Sequence, residues 1–420
     1  MIILIKKIRK FINSWHFLNE KKNFSCVVCG ADDFNQRKFF KSDYIFADIL
    51  ESNPIIKKYF FSSLKIFFKN LHKIKLSVPN LRFLFLVSSL TPLILSKNIR
   101  SVICFIDYYK IGKIFKLVLG NKINLIGFQF SVRGFPTKRD DMIKQFDYYY
   151  LWDVLDKNSE YDEKKLIKFG SLKSYIALEK YNKWNFLEKD FEKVNKIILI
   201  SSVAENYAAF FKKFLTDKKL SIEEKLKILV NKFEKKEIDF IREQQQAFDF
   251  FRLAIILKEY LIKSQKPLEI IIRGTNKDPK KLNFEKTILK KLFESKRIKS
   301  INLVEKNFLE RVNYALENKN EIFVTDCSSF GKEILALGCK VIFYSNIGNR
   351  YVPFYYDYDT VFCSNNMNNN FEINIEKLIK FKKSDFVNEL TKAKKTFSSF
   401  TPDIKKLNNF LNQSNLSVIK

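Results

Sequence analysis

The segment of this chain best equipped for chemistry is Glu321-Ile322-Phe323-Val324-Thr325-Asp326-Cys327-Ser328-Ser329, where a buried-strand pattern ends in a carboxylate and hydroxyls and a helical pattern begins. Two roles suit Asp326 and the serines. At a helix N-terminus they can satisfy orphan backbone N–H groups, or the hydroxyls can turn to an anion such as a diphosphate, which the positive helix end favours by roughly 0.3–1 kcal/mol. A second carboxylate, Asp107, ends the apolar run Val102-Ile103-Cys104-Phe105-Ile106 and precedes Tyr108 and Tyr109, whose rings suit a sugar. His16 and His72 are the only histidines and neither stands at a strand end, so a general base at a strand end would have to be a carboxylate. Asp107 is the first candidate and Glu205, after Ser201-Ser202-Val203-Ala204, the second; Asp107 would equally cap a helix over 110–119.

Other constellations carry less. Asp357-Tyr358-Asp359 has the D-x-D form that holds a divalent cation through oxygen ligands, but it follows the last strand pattern, and three-residue matches arise readily by chance. No metal is expected. Cys26 and Cys29 form a C-x-x-C that no second pair completes into a zinc site. Neither G-x-x-x-x-G-K-[ST] nor G-x-G-x-x-G occurs, which argues against P-loop ATPases and ordinary dinucleotide dehydrogenases.

The run Val324 to Ser329, followed by Glu333, Gly338 and Val341-Ile342-Phe343-Tyr344, resembles the donor-site segment of CDP-glycerol glycerophosphotransferases and related capsule and surface-carbohydrate transferases of the GT-B fold. There a strand ends in Thr-Asp-x-Ser-Ser and an acidic residue follows. The likeness is close over 324–344 and loose from Ile197 onward. It implies that Ser328 and Ser329 contact donor phosphate, with Asp326 in the same donor site, and that Glu333 faces the donor's sugar or glycerol portion. Ile270-Ile271-Ile272-Arg273-Gly274-Thr275-Asn276 resembles the family strand ending in Arg-Pro-His-Pro, with Arg273 alone carried over. With that histidine absent, Arg273 as a permanent bidentate cation takes more of the diphosphate. On the acceptor side, Ile126 to Gly134 resembles a strand ending in Gln-x-x-His-Gly; Gln129 and Gly134 survive, Arg133 lies between them, and the histidine is missing. Gly170-Ser171 resembles the Gly-Ser step that closes the first domain, although an ordinary turn would read the same.

The resemblance implies metal-independent transfer of a sugar or polyol-phosphate unit from a CDP- or UDP-linked donor to a glycan or lipid-linked acceptor, with no cofactor beyond the donor. Two alternatives stay open: a nucleotide-sugar 2-epimerase on the same fold, which would want histidines and carboxylates, and a non-catalytic basic protein that docks on membranes or nucleic acid.

Positioning such residues takes alternating strands and helices, and from about Asn80 the chain has that α/β pattern. It predicts strands at 81–87, 102–106, 124–130 and 148–152, with helices at 110–119 and 141–146. A second series has strands at 197–201, 268–272, 300–304, 321–325 and 340–344, with helices at 246–264, 280–293, 308–318 and 331–337. The fold expected is α/β and GT-B-like, two Rossmann-like domains whose parallel sheets face a cleft. Residues 1–79 read as a basic, aromatic helical region of the first domain, 80–190 as its Rossmann-like acceptor part and 191–385 as the nucleotide-donor domain. Residues 386–420 are expected to be helices that pack back on the first domain.

Composition sets the outer bounds. The 420 residues carry a net charge of +30 and are 46% hydrophobic, which excludes intrinsic disorder. Lysine is spread along the whole length, in company with the Asn, Ile, Phe and Tyr that AT-rich codons favour, so no nucleic-acid partner is expected. Six cysteines do not make a secreted disulfide framework, and a reducing, cytoplasmic setting is expected. No charge-free apolar stretch reaches the length of a transmembrane helix. The first twelve residues, mixing four cations with bulky apolar side chains, and the Phe/Lys segment from Lys57 to Lys75 suit peripheral contact with an anionic membrane on the inner face of the plasma membrane; the second would equally read as a packed helix with its lysines in water.

Overall fold

Short apolar runs buried on both faces build parallel strands, and this chain makes two six-stranded sheets from them. The computed structural model describes residues 15–18, 26–30, 44–48, 53–105, 111–128, 143–151, 166–168, 191, 193–201, 224–225, 228, 242–273, 279–306, 308–326, 328–345, 360–365 and 370–396. They divide between two compact units.

In the first unit β1 (Trp15–Leu18) is followed by β2 (Cys26–Gly30), β3 (Tyr44–Asp48) and β4 (Asn53–Ile56), and then by helices α1 (Phe60–Leu71) and α2 (Val78–Ser96). Strand β5 (Ser101–Cys104), helix α3 (Ile111–Leu119), β6 (Asn124–Phe128), β7 (Tyr148–Leu151) and β8 (Leu166–Lys168) complete it. Among the described residues β1 pairs with β4 in a two-stranded sheet, and the main sheet has the order β3-β2-β5-β6-β7-β8, every pair parallel. Asp147 ties α3 to this sheet, accepting from Lys116 Nζ at 2.7 Å and from the backbone N–H of Leu125 at 2.8 Å.

Two sequence expectations fail in this unit. Residues 81–87 are not a strand but the middle of α2, whose positions 83–91 are all buried. A helix apolar on every side shows no 3.6-residue period, so its core mimics a buried strand. What fixes it as a helix lies at its start, where Ser77 Oγ accepts from Asn80 N–H at 3.3 Å and Pro79 sits in the first turn. The N-terminal region is not helical throughout, because it supplies β1 to β4 before α1 begins. Of the helix expected at 141–146, residues 141–142 lie outside those described, Ile143 is helical, and Phe146 N–H closes a turn on the Ile143 carbonyl at 2.9 Å.

The second unit follows its predicted pattern closely. β9 (Ile197–Ile200) leads to the long α4 (Arg242–Ser264), then β10 (Leu268–Arg273), α5 (Pro279–Phe293), β11 (Ile301–Lys306), α6 (Phe308–Glu317), β12 (Ile322–Thr325), α7 (Ser329–Ala336), β13 (Lys340–Ser345), β14 (Cys363–Asn365), α8 (Phe371–Lys380) and α9 (Lys383–Thr396). All strands are parallel, in the order β11-β10-β9-β12-β13-β14. Counted from β9 this is 3-2-1-4-5-6, the doubly wound order of dinucleotide-binding sheets. In helix α9, Phe386, Leu390 and Ala393 are buried in this unit's own core, where Phe386 meets Phe191 and Phe362 with centroids 5.4 and 5.6 Å away. Residues 397–420 lie outside those described.

Candidate functional site

In an open parallel sheet, ligands bind beyond the carboxyl ends of the strands where the winding reverses. Here the reversal falls between β9 and β12. Their register pairs Leu199 with Val324, which brings Ser201 and Asp326 level just past the strand ends. On the other side of β9 the ladder continues through Ser201 N–H on the Ile271 carbonyl at 3.0 Å, leaving Arg273 to end β10 at the same edge. Three residues far apart in sequence therefore reach one edge of one sheet because the parallel register leaves them no other place.

The segment Thr325 to Glu333 builds the centre of this edge. Thr325 and Asp326 are buried, and Thr325 Oγ1 lies 3.5 Å from Asp326 Oδ1. Ser328 occupies the N-cap position of α7 with extended backbone (φ −68°, ψ 125°) and is buried, yet its hydroxyl makes no capping hydrogen bond to the first turn. Of its two sequence-level roles, the structure takes away capping. Ser329 is the first residue of α7. Glu333 is buried one turn further along, beside a buried Lys332.

Glycine lets α7 come this close. A Cβ on Gly331 would stand 2.7 Å from Thr325 Cγ2 and 2.8 Å from the Phe343 ring, so the first turn rests directly on β12 and β13. At the far end Gly338, at φ +87°, donates to the Leu335 carbonyl and Cys339 N–H to that of Ile334, a Schellman closure that stops the helix after two turns.

Two further groups complete the edge. Ser201 Oγ donates to Glu285 Oε1 at 2.5 Å, and both residues are buried. Glu285 falls on the apolar stripe of α5 with Leu282, Ile288, Leu289 and Leu292, and an acid on that stripe was the sequence signal for it. Lys332 carried no such signal. It faces β14, where burial pushes the Cys363 thiol up to about 12 while Thr360 and the Lys332 ammonium pull it back. The edge thus gathers buried carboxylates with a buried ammonium and a helix N-terminus.

Arg273, Asp326, Ser328, Ser329 and Glu333 are thus all in or beside the sheet edge that the sequence assigned to the donor. Asp107, Glu205, Gln129, Arg133, Gly170 and Ser171 lie outside the described residues, as do Asp357 and Asp359. Among the described residues no group of three His, Cys, Asp or Glu side chains could hold a metal ion.

No protein-family model and no curated protein matches the sequence. Solved structures do match. The chain superposes on an α,α-trehalose-phosphate synthase (UDP-forming) from Burkholderia vietnamiensis with a TM-score of 0.51 at 9% identity, over 94% of this chain and 100% of that one. It superposes on the UDP-GlcNAc 2-epimerase from Neisseria meningitidis, solved with UDP-GlcNAc bound, with a TM-score of 0.50 at 12% identity, over 92% of this chain and 99% of that one. The fold is therefore α/β of the GT-B type, with two parallel-sheet domains. At these identities the likeness is one of fold.

Proposed function

We propose that this chain is a GT-B glycosyltransferase-type enzyme that moves a sugar or polyol-phosphate unit from a CDP- or UDP-linked donor to a cell-surface glycan or lipopolysaccharide precursor, itself free or lipid-linked. The observation that carries this reading is one sheet edge: Arg273, Asp326 and Ser328 stand at the winding reversal of a 3-2-1-4-5-6 sheet, where the buried N-terminus of α7 begins. A donor diphosphate placed there meets the N–H groups and dipole of α7, the serine hydroxyls and Arg273. These groups answer the charge that grows on the departing diphosphate, which is the largest electrostatic demand of the reaction. No step in this scheme calls for a metal or a cofactor. Asp326 and Glu333 serve the hydroxyls of the donor's sugar or glycerol portion, and Gln129, Arg133, Gly170 and Ser171 line the acceptor side. Asp107, with Glu205 as the alternative, takes the acceptor's proton as it attacks. The setting is cytoplasmic, at the inner face of the plasma membrane.

The buried carboxylates Glu285, Asp326 and Glu333 also suit the 2-epimerase reading. Thermal unfolding with a panel of CDP-, UDP- and GDP-linked donors tests the site, because a ligand bound to the native state alone raises stability by RT ln(1 + [L]/Kd). Stabilisation by one nucleotide class is expected, and none by any donor would overturn the proposal. Products formed from the stabilising donor then separate the two readings: transfer needs an added acceptor and epimerisation does not. Persistence of transfer in excess chelator is expected.

A further inference from the structure

Helix α1 turns an unusual face to solvent. Its exposed stripe runs through Phe61, Lys65, Phe68, Lys69 and His72, positions that repeat at helical spacing along one side. Phe61 is 82% exposed and Phe68 64%, while the opposite side buries Ser63 and Asn70. Those two polar residues are satisfied locally, Ser63 Oγ donating to the Tyr59 carbonyl and Asn70 Nδ2 to that of Ile66, each at 2.9 Å. Two polar side chains thus lie inside while two phenyl rings lie outside. The rings are held firmly: Phe61 meets Phe60 at 5.6 Å, Phe68 meets Phe67 at 5.4 Å, and Phe67 packs edge-on against Phe85 of α2 at 5.7 Å. Leu76, just after α1, is exposed as well.

The charge around these rings has one sign. From Ser52 to Ile106 the sequence contains no Asp or Glu, although 46 acidic residues in 420 would put about six in a stretch of that length. It contains nine Lys and Arg, and Lys57, Lys58, Lys65, Lys69, Lys73 and Lys75 are exposed on or beside α1.

We infer that the outer face of α1 docks on an anionic lipid bilayer, with Phe61 and Phe68 entering the boundary between headgroups and acyl chains and the lysines on lipid phosphates. Two rings spaced about 10 Å apart along a convex helix face meet a flat, deformable interface well, whereas single-stranded nucleic acid is held in a groove that stacks its bases. Helix α2 is long and apolar enough to cross a membrane, but its middle is core, and it serves as the platform on which α1 lies. The inference holds whichever group the enzyme transfers.

Co-sedimentation of the full chain with phosphatidylcholine vesicles, with and without about 30% phosphatidylglycerol, tests it at about 0.1 M salt and again at high salt. Binding is expected to the anionic vesicles only and to weaken with salt. Phe61→Ala/Phe68→Ala should lower partitioning at least tenfold with an unchanged Tm, since exposed rings add little to folding, and Lys65→Glu/Lys69→Glu should remove it. Donor-induced stabilisation should be the same in both variants, so the result stands apart from that of the transferase reading. The inference is overturned if the wild type ignores anionic vesicles, if the phenylalanine pair proves dispensable, which would move binding to another segment such as residues 1–12, or if the lysine pair matters only for binding an oligonucleotide.

Discussion

At the carboxyl end of the first sheet three aromatic rings stack across neighbouring strands; at the carboxyl end of the second stand a serine, an arginine and an aspartate. Phe105, Phe128 and Tyr150 follow one another on β5, β6 and β7, with centroids 4.9 Å apart at 25° and 4.5 Å apart at 8°. All three are buried. At the matching end of the second sheet, Ser201 and Asp326 stand level just past β9 and β12, and Arg273 ends β10 one residue further along. Both sheets are parallel and have equally apolar middles, so the fold alone did not require a polar end on one of them. Burying a polar or charged group costs several kcal/mol unless it is paired, whereas a stacked aromatic layer adds favourable dispersion. The second sheet bears that cost at its winding reversal, which is where a site would need it.

The largest effect should come from the aromatic end. Phe128→Ala removes the central ring and should destabilise the first unit by about 3–5 kcal/mol, seen as an earlier denaturant transition, while donor affinity in the folded protein stays unchanged. A fall in donor affinity would break the contrast by tying the ring ladder to the donor. Arg273→Ala should do the reverse, leaving stability nearly unchanged while weakening donor binding by about 1.5–3 kcal/mol, roughly ten- to hundredfold, by titration calorimetry. Affinity within twofold of wild type would remove Arg273 from the phosphates.

The same contrast explains what could be read from sequence. Strands β9 to β13 were legible to within about two residues because each is a β-branched run between charged helical stretches. The donor segment was legible because Thr325-Asp326-x-Ser328-Ser329 breaks that apolar run abruptly. Helix α2 was not, since burial on all sides erased its period, and β2 was not, since Cys26-Val27-Val28-Cys29-Gly30 reads first as a cysteine motif. Glu285 could have been found from its place on an apolar stripe. That Ser328 stands at the cap without capping is a fact of geometry that residue types do not carry.

A smaller effect reads the electrostatics beside α7. Burial raises the Cys363 thiol from 9.0 to about 12 in the folded protein, so the unfolded chain releases this proton first as pH rises. The stability this neutral thiol confers is complete below pH 9 and declines between pH 9 and 12, by at most about 1.4 kcal/mol per unit. Cys363→Ala should flatten the fall in second-unit stability over that window, and an unaltered slope would mean the thiol is not shielded as its burial implies.

The central claim rests on the serine pair, and replacing Ser328 and Ser329 with Ala on one preparation tests it most directly. A pair that only capped the helix would cost about 0.5–2 kcal/mol of stability and leave donor affinity alone. Because Ser328 makes no capping bond, the account predicts a small change in Tm together with a loss of donor affinity and turnover that exceeds it. A double variant that is clearly less stable yet binds donor and transfers normally would contradict the placement of the diphosphate at α7, and with it the transferase reading of the site.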